Sequence, residues 1–491
     1  MSLRVLLLAL AAAVALGLVL RSGVEIPGVV IATVGGMGLV GLMLSSLFRP
    51  EMALYALAAY IPFSKLLPGD FGGTMTALNL TNLLFVVVIA SWFFSCLTRG
   101  QPFLEFHPLH VAVLLFATWG SFSYAWLALG PDSPPGYGSQ RLDEFKRWLD
   151  PFVVYLLFFA GVRRASVWRN VVTIVMTVVA VVAGLAVVDY MDVSSGTSLE
   201  KSRVGGVMGQ PNFLGAFIVY YAFLFASHWL ENFRRRRAWF LLVPFLLCIR
   251  GIMVTFSRGA YLAFAQGILG VAFFKKRILA VAAVAALGLA TFNPWMLPAG
   301  VRYRFDATFQ SHSEPLGQYG GVDVQEDLDK SSATRLVIWR GALEMIKAHP
   351  IVGVGLGRFG ELITGYAELD RARDAHNAYL ITAAEMGLPA LTLFLATLVY
   401  LFWMSNQVYR RHPERFVRAT ALGFLGGLSG LLMANMFGSR VNATEVAGYV
   451  WVLAALMARA DLDIKRQRRR SSSSRGFDRT QTEGQPALPR H

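Results

Sequence analysis

Arg258 stands in Thr255-Phe-Ser-Arg-Gly-Ala, a short polar turn between two long apolar runs. An arginine at that depth is costly unless its head reaches the interface or binds an anion. Arg203 opens a second polar stretch, Arg203-Val-Gly-Gly-Val-Met-Gly-Gln-Pro-Asn-Phe-Leu-Gly, at the entrance to another apolar run. A guanidinium is a planar fork that gives phosphate two parallel charged hydrogen bonds. Arg203 and Arg258 on one side of a bilayer would therefore suit a lipid-linked diphosphate. Each also reads as an interfacial anchor, with its stem in lipid and its charge in water. Arg250 lies deeper in its run, facing either a polar cavity or a buried carbonyl.

His376 sits in Asp374-Ala-His-Asn-Ala-Tyr-Leu, followed by Glu385-Met-Gly-Leu-Pro. Imidazole changes charge near neutral pH, which suits a general base. The alternative is a histidine at headgroup level. A further stretch, Ser332-Ala-Thr-Arg-Leu-Val-Ile-Trp-Arg-Gly, runs on to His349-Pro-Ile-Val-Gly-Val-Gly-Leu-Gly-Arg-Phe-Gly. Its glycines are not a nucleotide loop, because the strand–loop–helix context and the Lys-Ser/Thr are missing. They read as a tight turn. Trp339 and its apolar neighbours read as packing. Cys96 and Cys248 both lie in apolar runs, with no disulfide framework or zinc spacing.

The elements that position these residues are membrane spans. The chain has 491 residues, of which 55% are hydrophobic and only 15% charged. A soluble chain carries about 25% charged residues. Apolar runs of the roughly 20 residues that cross a bilayer recur throughout. They fall near 4–20, 28–48, 52–67, 81–97, 108–128, 150–162, 170–189, 211–230, 238–256, 259–274, 278–296, 378–404, 417–437 and 443–459. The expected fold is an all-α polytopic membrane protein of about 12–14 transmembrane helices. The first run resembles a signal peptide but is long for one, so it is expected to be retained.

The net charge of +15 does not point to nucleic acid. It gathers in short connectors: Arg163, Arg164 and Arg169; Arg234 to Arg237; Lys275 to Arg277; Arg410 to Arg418; and Lys465 to Arg470. With the spans counted as above, these connectors share one side, which the positive-inside rule assigns to the cytoplasm. The polar stretches above then face the outside, or the periplasm of a Gram-negative cell. So does the long insertion 297–377. Its early part, with Glu314, Asp323 and Glu326, reads as a polar loop. Its later part, Ser332 to Ala348, reads as an amphipathic helix with Leu336, Trp339, Leu343 and Ile346 on the apolar face. Ser331 or Ser332 would cap it and Pro350 end it. Residues 466–491 are Arg/Ser-rich, then polar, and are expected to be disordered.

Taken in order, the Arg-led Gly/Pro/Asn entrance, the Ser-Arg-Gly turn, the Arg335…Trp339-Arg340 helix with its glycines and the His376-Asn-Ala-Tyr-Leu entrance resemble the O-antigen ligase and polymerase superfamily. These are bacterial envelope glycosyltransferases. The motif-bearing part runs from about 200 to 440, while the flanking spans match in hydropathy alone. This divides the chain into N-terminal spans over 1–200, a ligase-like core over 201–465 and the tail over 466–491.

The resemblance implies transfer of a glycan from undecaprenyl diphosphate to an acceptor hydroxyl. The acceptor is lipid A–core in a ligase and another lipid-linked glycan in a polymerase. It also implies a C-type glycosyltransferase fold, all-helical, inverting and metal-independent, without a cofactor or nucleotide sugar. The site would face the periplasm from the inner membrane. By motif match, Arg203 and Arg258 clamp the diphosphate and His376 deprotonates the acceptor. Arg335 and Arg340 are further candidates for diphosphate or acceptor contact, and Asn377 and Tyr379 for orienting the histidine or the sugar. The long outer insertion favours the ligase over the polymerase. A lipid transporter would also use arginine-lined cavities, but paired broken helices in matching halves are not evident. A protein acceptor is disfavoured because no further periplasmic domain is visible.

Overall fold

The computed structural model describes residues 28–65, 79–100, 102–131, 133–193, 203–297, 301–302, 330–369, 372–440 and 443–482. Among them the secondary structure is helical, with no strand. The helices are α1 Gly28–Phe48, α2 Glu51–Tyr60, α3 Leu80–Arg99, α4 Pro108–Leu129, α5 Tyr137–Gln140, α6 Leu142–Gly161, α7 Ala165–Val193 and α8 Pro211–Asn232. They continue as α9 Leu242–Val254, α10 Arg258–Lys275, α11 Arg277–Phe292, α12 Lys330–Ala348, α13 Phe359–Leu362, α14 Ala378–Arg411, α15 Arg415–Met436 and α16 Thr444–Thr482.

The protein is an all-α polytopic membrane protein. Seven of the described helices are long and apolar enough to cross a membrane, and three shorter apolar segments accompany them. Large apolar side chains stay exposed along α3, α4 and α11, among them Val86, Phe93, Leu114 and Val281. In water such faces would associate; against lipid tails they need no partner. The expected spans at 150–162 and 443–459 are parts of α6 and α16, which also carry charged residues at Asp150 and Arg459. The expected span at 4–20 and the polar loop around Glu314 lie outside the described residues.

One hydrophobic core runs through both the N-terminal helices and the later ones. Its tightest part is the packing of α8, α10 and α15. Gly427 of α15 lies against the Tyr220 carbonyl of α8, where any side chain would collide. Small residues let backbones approach in lipid, where dispersion and not the hydrophobic effect holds helices together.

The basic connectors do share one end of the bundle. Arg169 donates to Glu414 at 2.8 Å, Lys275 pairs with Glu231, and Tyr409 donates to Glu231 at 3.3 Å. The polar motifs lie at the opposite end.

Two local expectations need correction. Helix α12 begins at Lys330, so Ser331 and Ser332 lie inside it instead of capping it, a shift within the ordinary fraying of helix ends. Its buried stripe is Ile338, Ala342, Met345 and Ile346, whereas Leu336 and Leu343 are 47% and 49% exposed. The helix docks onto α13 and the start of α14, and this docking rotates the buried face away from the one that hydropathy alone selects. Residues 466–482 of the tail continue α16. Extending an existing helix costs little per residue, because nucleation is already complete.

Candidate functional site

Arg203 and the Ser257 turn form one unit. Arg203 Nε donates to the Thr255 carbonyl and its Nη2 to Asn212 Oδ1, both at 3.1 Å. Ser257 Oγ donates to the same Asn212 oxygen at 2.8 Å. Asn212 is the second residue of α8, and Arg258 is the first of α10. Two helix N-termini therefore meet here with two arginines beside them. Helix N-termini carry partial positive charge and free N–H groups, a ready setting for phosphate. Phe256, before the turn, has a φ of 46°. A bulky residue in that region is strained, and such strain collects at functional sites.

Across from this unit, Gly259 lies against Phe437 at the end of α15. Two residues on, Ser439 Oγ donates to Asp374 Oδ1 at 3.3 Å. The other oxygen of Asp374 lies 3.2 Å from His376 Nδ1. The His376 side chain is 49% exposed, open to a substrate. Its φ is 49°, the only other positive value among the described non-glycine residues. The loop is held from above by α12, whose Trp339 Nε1 donates to the Ala375 carbonyl at 2.9 Å.

Asn377, expected to orient the histidine or the sugar, uses its side-chain oxygen on the backbone. Its Oδ1 accepts from the backbone N–H groups of Tyr379 and Leu380, at 3.0 and 3.2 Å. It is the N-cap of α14. Tyr379 donates to the Leu432 carbonyl at 2.9 Å and ties α14 to α15. Asp374 is the side chain that holds His376. The motif match named Asn377 and Tyr379 for orienting the histidine or the sugar; the entry of α14 turns the Asn377 oxygen toward the helix.

Arg440 was missed by sequence reasoning. It is 3% exposed, donates to the Ala434 and Phe437 carbonyls at 3.1 and 3.2 Å, and leaves its buried Nε without a partner. Burial holds its guanidinium below the usual arginine range. The Tyr220 and Asp374 side chains oppose that shift, while the charge of Arg335 adds to it. The charges of Arg335 and Asp374 are thus both felt at Arg440. A buried, incompletely bonded cation beside a second cation favours an anion. The signal in the sequence was Gly438-Ser439-Arg440, a third Ser-Arg pair in a connector on the same side as Ser202-Arg203 and Ser257-Arg258. Arg340 lies on the exposed face of α12.

The glycine-rich stretch after α12 is more than a turn. α14 breaks at Gly387, where φ is 81° and ψ 170°. The break frees carbonyls that lipid cannot satisfy. Val354 N–H donates to the Ala384 carbonyl at 2.8 Å, Gly355 N–H to Glu385 at 3.0 Å, and Trp119 Nε1 to Met386 at 2.9 Å. In return Leu388 N–H donates to the Pro350 carbonyl at 2.8 Å. The Glu385 carboxylate accepts from the N–H of Phe359 at 3.2 Å and from that of Gly357. The loop and the broken helix are thus tied into one hydrogen-bonded support beneath His376.

Residues 243–395 match the O-antigen ligase family model. The match supports membership of the O-antigen ligase superfamily and a membrane glycosyltransferase of the ligase and polymerase type. It takes in Arg258, Arg335, Arg340, His376, Asn377, Tyr379 and the α14 break, while Arg203 and Arg440 lie outside it. No curated protein matches the chain. Among the described residues no group of three His, Cys, Asp or Glu is placed to hold a metal ion.

Proposed function

We propose that the chain is an inverting, metal-independent O-antigen ligase that moves a glycan from undecaprenyl diphosphate to a hydroxyl of lipid A–core. The observation that carries this reading is the Arg203–Asn212–Ser257 unit next to Arg258, packed through Gly259 on Phe437, two residues before the Ser439 that holds the Asp374–His376 pair. The diphosphate lies among the arginines. His376 Nε2 faces the acceptor and Nδ1–H donates to Asp374. The acceptor oxygen attacks the anomeric carbon while Nε2 takes its proton. The bond to the diphosphate breaks, and the electron pair leaves on the bridging oxygen, inverting the anomeric centre.

Negative charge grows on that oxygen, and preorganised donors aimed at it are each worth roughly 3–4 kcal/mol. A placed base adds about 10²–10⁴ in rate. The site opens to the periplasm, opposite the basic connectors. The polymerase uses the same donor chemistry with a different acceptor. A transporter would exploit the break in α14, but the carbonyls freed there are filled by protein donors, which suits a fixed support.

The test is transfer of label from an undecaprenyl-diphosphate glycan by wild type and by His376→Ala, each shown to be folded. Loss of transfer in the variant is the expected result. A folded His376→Ala with full activity removes the base. Transfer onto a longer lipid-linked glycan in place of lipid A–core converts the reading to a polymerase. Chelation by EDTA is expected to leave the rate unchanged.

A further inference from the structure

At the end of the bundle remote from His376, a cavity of about 70 Å³ opens between the α6–α7 connector, the α14–α15 connector and α16. Arg163, Arg164, Arg169, Arg459 and Arg466 line it. The carboxylates there do not balance them. Arg459 and Arg466 share one, Glu105, at 2.6 and 2.8 Å. Arg169 is paired with Glu414 at 2.8 Å, but the nearest carboxylate to Arg164, Glu51, is 3.9 Å away. Asp463 is 3.9 Å from Arg466, and burial lifts its carboxyl above the usual range, which lessens its negative charge. Burial likewise pulls the lining His412 down, toward its neutral form.

The decisive group is Arg459. It is 5% exposed, and its Nη2 is buried without a hydrogen-bond partner. Its Nε donates to the Phe159 carbonyl, and its guanidinium lies 4.0 Å from the Phe159 ring centroid. Arg459 lines the cavity, and a buried guanidinium N–H without a partner favours an acceptor oxygen.

A second cavity, of about 260 Å³, adjoins the first and shares Arg163 and Arg164 with it. Leu54, Val88, Trp92, Leu157 and Val167 line its apolar walls. An arginine-lined cavity beside a second one with apolar walls, both at the ends of membrane spans, matches a lipid with an anionic head. We infer that this end of the protein holds one anionic phospholipid, with its phosphate among Arg164, Arg459 and Arg466 and an acyl chain in the second cavity. Basic pockets between helices on the positively charged side recognise such heads.

The full-length protein, purified in detergent and stripped of lipid, is mixed with phosphatidylglycerol or phosphatidylcholine and examined by native mass spectrometry. Retention of one phosphatidylglycerol per chain, with no comparable retention of phosphatidylcholine, is expected. Arg164→Gln and Arg466→Gln, made singly, should each weaken retention about tenfold, the loss of one charged contact. Both side chains are more than half exposed, 61% and 53%, so neither variant threatens the fold. Equal retention of the two lipids, or unchanged retention in both variants, would overturn the inference. Displacement of phosphatidylglycerol by millimolar inorganic phosphate would also overturn it, since the site would then be one for the ion.

Discussion

Asp374 and Arg440 separate binding from chemistry at the scale of single side chains. Asp374 holds His376 through one oxygen and Ser439 through the other. Replacing it with Asn keeps the shape but removes the charge that favours a protonated imidazole in the transition state. Asp374→Asn is therefore expected to lower kcat about tenfold or more, within the range of base catalysis, with little change in donor KM. Arg440→Met tests the other role. Exchanging a buried, incompletely bonded arginine for an apolar chain of similar length is often neutral or stabilising. The variant should keep or raise its Tm while its KM for the lipid diphosphate increases. An unchanged KM would make Arg440 a purely structural residue. These roles were half legible in the sequence. Arg203, Arg258 and His376 stood out because polar residues at membrane depth are costly. Asp374 and Arg440 did not, because what Asn377 caps and what Arg440 lies beside depend on how the chain enters and leaves α14 and α15.

At the scale of elements, the support under His376 is the contact between α12, the glycine loop and the break in α14. Gly387 adopts backbone angles that are essentially confined to glycine, and an added side chain would meet the Ile351 carbonyl. Gly387→Ala should cost about 3 kcal/mol or more, seen as a lower Tm and reduced yield of folded protein. Trp339→Phe keeps the ring but deletes the hydrogen bond to Ala375. The expected cost is about 1 kcal/mol of local stability and a lower kcat, since the histidine loop loses its tether. A variant with normal kcat would show that the loop is held by the rest of the support. The sequence indicated that a helix lies here but misjudged its buried face. Hydropathy selected Leu336, Trp339, Leu343 and Ile346; Ile346 is buried, but the apolar partners supplied by α13 and α14 bury Ile338, Ala342 and Met345 in place of Leu336 and Leu343.

The whole molecule is a bundle with two chemically different ends. The spacing of Arg and Lys clusters revealed this before any coordinates, because each connector's position follows from counting spans. Contacts such as Arg169–Glu414 and Lys275–Glu231 place those connectors together. The account predicts opposite accessibility for the two ends. Cysteine introduced at Arg340 should react with an impermeant maleimide from the periplasmic side, and cysteine at Arg235 only after the membrane is opened. The native Cys96 and Cys248 are buried and should contribute little background.

The central claim is that the Arg203–Arg258–His376 end transfers a glycan. It is tested most directly with purified protein in liposomes, given a labelled undecaprenyl-diphosphate glycan and lipid A–core. The account predicts label on lipid A–core with wild type and none with His376→Ala. Label that crosses the bilayer still joined to undecaprenyl diphosphate, equally in both proteins, would contradict it.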